Sequence, residues 1–239
     1  MKRIDGGVCA AKGFAANGIN AGIKKVSEKP DLCVIYSEVP ASCAAVYTTN
    51  LVKGAPIAVT KRHIADGIAQ AVVANSGNAN TCNADGEEIA QKMCKLTADA
   101  LGIRANDVVV ASTGVIGQRL KLDPIEAAMP KLTAGLTKDA EGADKAARAV
   151  MTTDTIKKEI AVEFEIGDTV CRMGGMAKGS GMIHPDMATM LGFITTDAAI
   201  SPEMIKKALS ADIEDSFNMI SVDGDTSTND MVAILANGM

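Results

Sequence analysis

Two short segments carry threonines in settings where a hydroxyl could do chemistry. In ASTGVIG (111–117) a β-rich run ends at Thr113-Gly114. A glycine there lets a backbone N–H approach a ligand closely. The Thr113 hydroxyl and the Gly114 N–H would be two donors aimed at one oxygen, which is what an oxyanion hole requires. In KGSGMIHPDMATML (178–191) the pair Ala188-Thr189 follows two glycines and Pro185. A threonine hydroxyl is a poor nucleophile without a base beside it. A chain that begins at Thr supplies one, its own α-amine. The ordinary pKa of such an amine, about 8, suits proton transfer near neutral pH. This chemistry requires the bond before Thr189 to be cut. Ala188 is small and leaves its carbonyl accessible, and Gly179, Gly181 and Pro185 can hold a strained approach of hydroxyl to carbonyl. The Thr189 hydroxyl would attack the Ala188 carbonyl, and water would split the resulting ester. A Met-rich strand competes with this reading for the same stretch.

The remaining candidates read as structural. His63 lies in KRHIADG, a polar segment with the character of a surface turn, and His184 stands beside Pro185 at a turn position. Two histidines with no H-x-x-x-H pair do not make a metal site, and neither a metal nor a cofactor is expected. VDGDTSTND (222–230) has the look of a calcium loop, but Gly224 is misplaced and the distal Glu is missing. It reads as a tight turn between strands, with buried hydrogen bonding near a site as the alternative. None of the six cysteines, Cys9, Cys33, Cys43, Cys82, Cys94 and Cys171, forms a C-x-x-C pair. Reduced, mostly buried thiols in a cytoplasmic protein are expected. The start, MKRIDGGVCAAKGF, lacks the apolar core of a signal peptide, and no apolar run approaches the ~18 residues of a membrane span. The net charge is −5 with both signs interspersed, which leaves no basic stripe for nucleic acid or a membrane surface. Neither G-x-G-x-x-G after a strand nor G-x-x-x-x-G-K-[ST] occurs.

The elements that must position these threonines alternate in type. The chain is 47% hydrophobic but only 3% aromatic, without Trp, so its core must come from Ala, Val, Ile, Leu and Met, as in tightly layered α/β proteins. Strands are expected at 31–38, 44–49, 69–77 and 107–113. Between the last two a helix begins at Asp85 and Glu88, a capping-box-like pair. It runs through Ile89, Met93, Leu96 and Ala100 and closes at Gly102. Asp123-Pro124 opens another helix, 143–151 a third, and Ser201-Pro202-Glu203 a last one with Ile205 and Leu209 inward. Residues 159–179 alternate as a hairpin turning at Gly167-Asp168. Ile160, Val162, Phe164 and Ile166 form its apolar face, and Glu163 and Glu165 its wet face. FNMISV (217–222) and MVAILANG (231–238) read as two further strands. Strands beside strands with single helices between them indicate an α/β or α+β layered protein.

Beyond these readings, KGSGMIHPDMATMLGFITTD (178–197) closely resembles the self-cleavage segment of the ornithine acetyltransferase family, the bifunctional glutamate N-acetyltransferases of arginine biosynthesis. ANSGNANTCNADG (74–86), ASTGVIG, MTTDT (151–155) and SFNMISVDGDTSTNDMVAILANG (216–238) resemble family segments in family order, so the resemblance covers essentially the whole chain. It implies a layered αββα fold cut at Ala188-Thr189 into an α chain, 1–188, and a β chain beginning at residue 189. It implies Thr189 as the nucleophile that carries the acetyl group, Thr113 and Gly114 as oxyanion donors, and Thr152 and Lys178 as substrate-binding residues. The implied reaction moves acetyl from N-acetylornithine to glutamate, with acetyl-CoA an alternative donor in some members. The full-length protein would be a heterotetramer of two α and two β chains. Family chains continue well past the point matching Met239, so this chain is expected to be C-terminally truncated, with 189–239 only the start of its β chain. A related self-processing aminopeptidase and an unprocessed inert fragment remain as alternatives.

Overall fold

A computed structural model describes residues 1–25, 27–182 and 190–239. Its strands are β1 (Lys2–Ile4), β2 (Phe14–Ile19), β3 (Leu32–Tyr47), β4 (Ile68–Asn78), β5 (Val108–Val115), β6 (Lys158–Ile166), β7 (Thr169–Lys178), β8 (Leu191–Thr196) and β9 (Met231–Ala236). The helices are α1 (Ala55–His63), α2 (Gly86–Leu101), α3 (Asp123–Ala134), α4 (Ala140–Ala149) and α5 (Pro202–Asp212). No helix among the described residues is long and apolar enough to cross a membrane.

Strand β3 organises the molecule. It is one long strand where the sequence suggested two, and its register slips between Tyr36 and Ala41, around Pro40. Its first half pairs with β2 and β4, and β4 continues in parallel to β5. Its second half pairs with β9, and the sheet runs on through β8, β7, β6 and β1. Alternation along the strands then separates three apolar layers. Cys33, Ile35, Val72, Ala74, Val109 and Ala111 face an inner core shared with Leu191, Phe193, Met231, Ala233 and Leu235. Their neighbours Leu32, Val34, Ala71, Val73, Val108 and Val110 turn the other way, onto α2 and α3. On the far side Val232, Ile234 and Ala236 turn outward onto Ile205 and Leu209 of α5. Helices, sheet, sheet and helix therefore stack in that order, an αββα sandwich whose two sheet halves share β3. Strands covered on both faces read as continuous apolar runs, as MVAILA does.

Several local expectations change. FNMISV is not a strand: Met219 N–H bonds Ser216 O and Ile220 N–H bonds Phe217 O, both i→i−3. Phe217 packs on the α5 layer while Met219 and Val222 are exposed. It cannot extend the sheet beside β9, the strand that follows it, because β9 is already flanked by β8 and β3. In the β6–β7 hairpin the buried face is the one marked by small residues. Ala161 is buried beside α4, whereas Ile160 and Ile166 are 53% and 54% exposed. Asp85 precedes α2 but makes no side-chain cap, since its carboxylate pairs with Arg119 at 2.5 Å. His63 is not in a turn but ends α1, and its Nδ1 lies 3.0 Å from Val108 O. Thr60, one turn earlier, donates to Val110 O at 2.8 Å and accepts from Val110 N–H at 2.9 Å. Together they satisfy the open edge of β5, a structural task that accounts for both.

Candidate active site

The site forms where β5 and β7 end beside the loops before β6 and β9. Thr113 is the sixth residue of β5 and is nearly buried. The strand does not stop there, as the sequence suggested, but continues to Val115 through a kink at Gly114, whose φ is 129°. A Cβ on Gly114 would lie 2.4 Å from the Gly77 carbonyl carbon, and Gly77, its partner across the parallel pair, has φ 111°. Only glycine fits such a backbone crossing. The kink leaves Gly114 exposed at the mouth of an open cleft of about 980 Å³, lined also by Thr113, Thr152, Lys178 and Asn229.

Lys178, the last residue of β7, reaches into this cleft with only 8% of its surface exposed. Its Nζ donates to Thr113 Oγ1 at 3.0 Å and to Thr152 Oγ1 at 3.4 Å. Three of the residues expected from the sequence thus meet in one place. The bond has a chemical consequence. A threonine oxygen that accepts from an ammonium keeps its own O–H free to donate. Burial pushes the Lys178 pKa down, and the charges of Asp154 and Asp230 oppose that shift.

The two carboxylates differ. Asp154 accepts from Lys158 Nζ at 2.5 Å, Gly179 N–H at 2.9 Å and Thr152 N–H at 3.3 Å. Burial alone would raise its pKa, but these bonds outweigh it and hold it below the usual carboxylate range. It thereby fixes the backbone on both sides of the site. Asp230 is driven up to about 8, by burial first, against the Lys178 charge and the Ser227 and Met190 groups that face it. Its Oδ2 has no hydrogen-bond partner among the described residues. Asn229 beside it is buried and bonded to the carbonyls of Ser112 and Ala79. The sequence signal for both lay in VDGDTSTND. That stretch is a loop running into β9, not a turn between strands; its exposed Asp223 and Asp225 gave it the calcium-loop look, and its end is buried. No cluster of His, Cys, Asp and Glu suited to a metal occurs among the described residues. Cys9, Cys33 and Cys43 are buried with thiol pKa values pushed up to about 12, which leaves them unreactive. His184, Ala188 and Thr189 lie outside the described residues. Met190, the next residue, is buried, and its carbonyl accepts from Met231 N–H at 3.0 Å.

A family model described as the ArgJ family matches residues 15–239. The "Arginine biosynthesis bifunctional protein ArgJ" of Symbiobacterium thermophilum is 52% identical over all of this chain, which spans 60% of that protein's length. The crystal structure of the protein of that name from Bacillus halodurans superposes with a TM-score of 0.72 at 43% identity, covering 76% of this chain and 94% of that one. An ornithine acetyltransferase from Mycobacterium tuberculosis, solved with ornithine, gives 0.71 at 38% identity over 76% of this chain and 95% of that one.

Proposed function

The chain belongs to the ArgJ family, and from that premise we propose that it carries the self-processing and acetyl-transfer machinery of an arginine-biosynthesis acetyltransferase. One observation carries the reading: Lys178 Nζ stands 3.0 Å from Thr113 Oγ1 and 3.4 Å from Thr152 Oγ1 at the mouth of one cleft. Thr113 and Gly114 present a hydroxyl and a kinked backbone N–H to the same space. Lys178 offers a positive charge for an amino-acid carboxylate.

In processing, the Thr189 hydroxyl adds to the Ala188 carbonyl, and the oxyanion faces Thr113 and Gly114. The C–N bond breaks, nitrogen takes up the proton that the hydroxyl shed, and an ester links the two pieces. Water hydrolyses it to a carboxylate at Ala188 and a free amine and hydroxyl at Thr189. In turnover the amine takes the hydroxyl proton as Thr189 attacks the acetyl group of N-acetylornithine, then returns it to the departing ornithine. Glutamate attacks the acetyl-Thr ester and leaves as N-acetylglutamate. Acetyl-CoA would load the same hydroxyl. The coverage of the Bacillus structure supports the cut, because a match to 76% of this chain nearly uses up that one, and residues 1–188 are about four-fifths of this chain. The whole protein would act in the cytoplasm as two α and two β chains.

The test is acetyl transfer from N-acetylornithine to radiolabelled glutamate, with Thr189→Ala alongside. Loss of both cutting and transfer in that variant is expected. Transfer that survives the substitution would remove Thr189 as the nucleophile.

A further inference from the structure

The Asn229 side chain uses every hydrogen-bonding capacity of its carboxamide. Its Nδ2 donates to Ala79 O at 2.6 Å and to Ser112 O at 3.0 Å. Its Oδ1 accepts from Thr81 Oγ1 and Thr228 Oγ1, each at 2.6 Å. The partners leave no choice of orientation, since a flipped amide would set its oxygen against two carbonyls. Space is equally confined: a Cβ on Gly54 would lie 2.5 Å from Asn229 Nδ2. The amide therefore joins three elements at one point: the loop after β4, the end of β5 and the start of β9. The join is reinforced around it. Gly54 N–H bonds Thr228 O at 2.9 Å, Thr48 Oγ1 bonds Ser227 O at 2.7 Å and Asn50 Nδ2 bonds Thr226 O at 2.8 Å.

Ser112 is the residue before Thr113. Its carbonyl belongs to the peptide plane whose N–H is that of Thr113, so fixing it fixes the rotation at which the chain enters the Gly114 kink. Ladder bonds to β4 hold the rest of β5, but the register breaks at Gly77 and Asn78, where the kink begins. An oxyanion hole at this kink needs its donors within a few tenths of an ångström, and a misplacement of about 1 Å costs on the order of 10²-fold in rate.

We propose that Asn229 is a positioning residue that sets the oxyanion turn at Thr113 and Gly114 by holding the Ser112 carbonyl. This rests on the reading of that turn as the oxyanion hole. It carries a consequence for the processed protein: Asn229 lies after position 189, so the oxyanion donors of the first piece are aimed by a residue of the second. Neither piece would hold the turn alone.

Asn229→Asp keeps the shape and removes both donors. Thr81→Val leaves the amide in place and frees it to swing. For Asn229→Asp, kcat for acetyl transfer should fall about 10²-fold with KM changed by less than about threefold, the signature of an interaction made in the transition state. Thr81→Val should lower kcat about tenfold with the same split. The Gly114 backbone amide resonance should shift in both, which a merely structural role for Asn229 would not require. A Gly114 amide that stays in place, with kcat within about twofold of wild type, would overturn the proposal. Should Asn229→Asp not fold, the Thr81→Val result decides alone by the same criteria. Wild-type protein that neither cuts nor transfers would defeat the functional reading instead, while the Gly114 resonance would still decide whether Asn229 holds the turn.

Discussion

Lys178 is nearly dry. Burial depresses its pKa, and the charge of Asp154, saturated with hydrogen bonds, opposes that, as does Asp230 where it is ionised. On the proposed reading, in which Lys178 holds an amino-acid carboxylate, Lys178→Met should raise KM by about 10²-fold, the loss expected when a charge-assisted hydrogen bond is removed. Steady-state kinetics of the transfer reaction would show it. On the same reading Thr113→Ala removes one proposed oxyanion donor, and kcat should drop by about 10²–10³ with folding intact by circular dichroism. Asp230 makes a prediction about stability. An unfolded Asp titrates near 3.9, whereas burial raises Asp230 to about 8 in the folded protein. Between those values the native state binds more protons than the unfolded one. The Asp230 contribution is thus fully present below about pH 4 and is lost as pH rises toward 8. Asp230→Asn should gain in melting temperature over wild type more at about pH 8.5 than at about pH 5. A difference that does not change with pH would mean that Asp230 does not titrate in this range. Thr113 and Gly114 could be singled out from a hydroxyl and a glycine at a strand end, whereas Thr152 and Lys178 came only from the family resemblance. Asn229 and Asp230 could not be, because their short acidic surroundings look like a solvated turn until burial is known.

At the scale of elements, pattern succeeded where one element meets one environment. The β4, β5 and β9 runs, α2 with its stop at Gly102, and α5 with Ser201 capping Met204 N–H at 3.3 Å all follow from period and cap chemistry. It failed where tertiary context overrides local signal. FNMISV has strand composition, but β9, the strand that follows it, is already paired on both sides. The β6–β7 hairpin buries its small side because the Gly6–Cys9 segment lies directly on it: a Cβ on Gly174 would sit 1.8 Å from Gly7 O. Strand β2, FAANGI, escapes notice because Ala, Asn and Gly are poor strand formers; it exists by pairing with β3. Gly174→Ala should accordingly destabilise the protein by about 1–3 kcal/mol, the usual range for overpacking against backbone. Urea unfolding would read it directly, and a midpoint equal to wild type would mean that this contact is loose.

For the whole molecule, the shared strand β3 and the bonds around Asn229 tie residues on both sides of position 188 into one body. Strand β9 lies between β8 and β3, and β8 pairs with β7, so a cut before Thr189 would leave both pieces woven into one sheet. The pieces should co-elute on size exclusion and separate only in denaturant. That the site could be anticipated at all reflects how closely residues 74–86, 111–117, 151–155 and 178–197 resemble family segments. The layering that joins them is a property of the fold. On the proposed reading the folded chain cuts itself before Thr189, and the intact mass of the purified protein under denaturing conditions reads that out. Two polypeptides, 1–188 and 189–239, are the expected result, with Thr189→Ala remaining whole. A single species of 24.6 kDa from folded wild-type protein would contradict it.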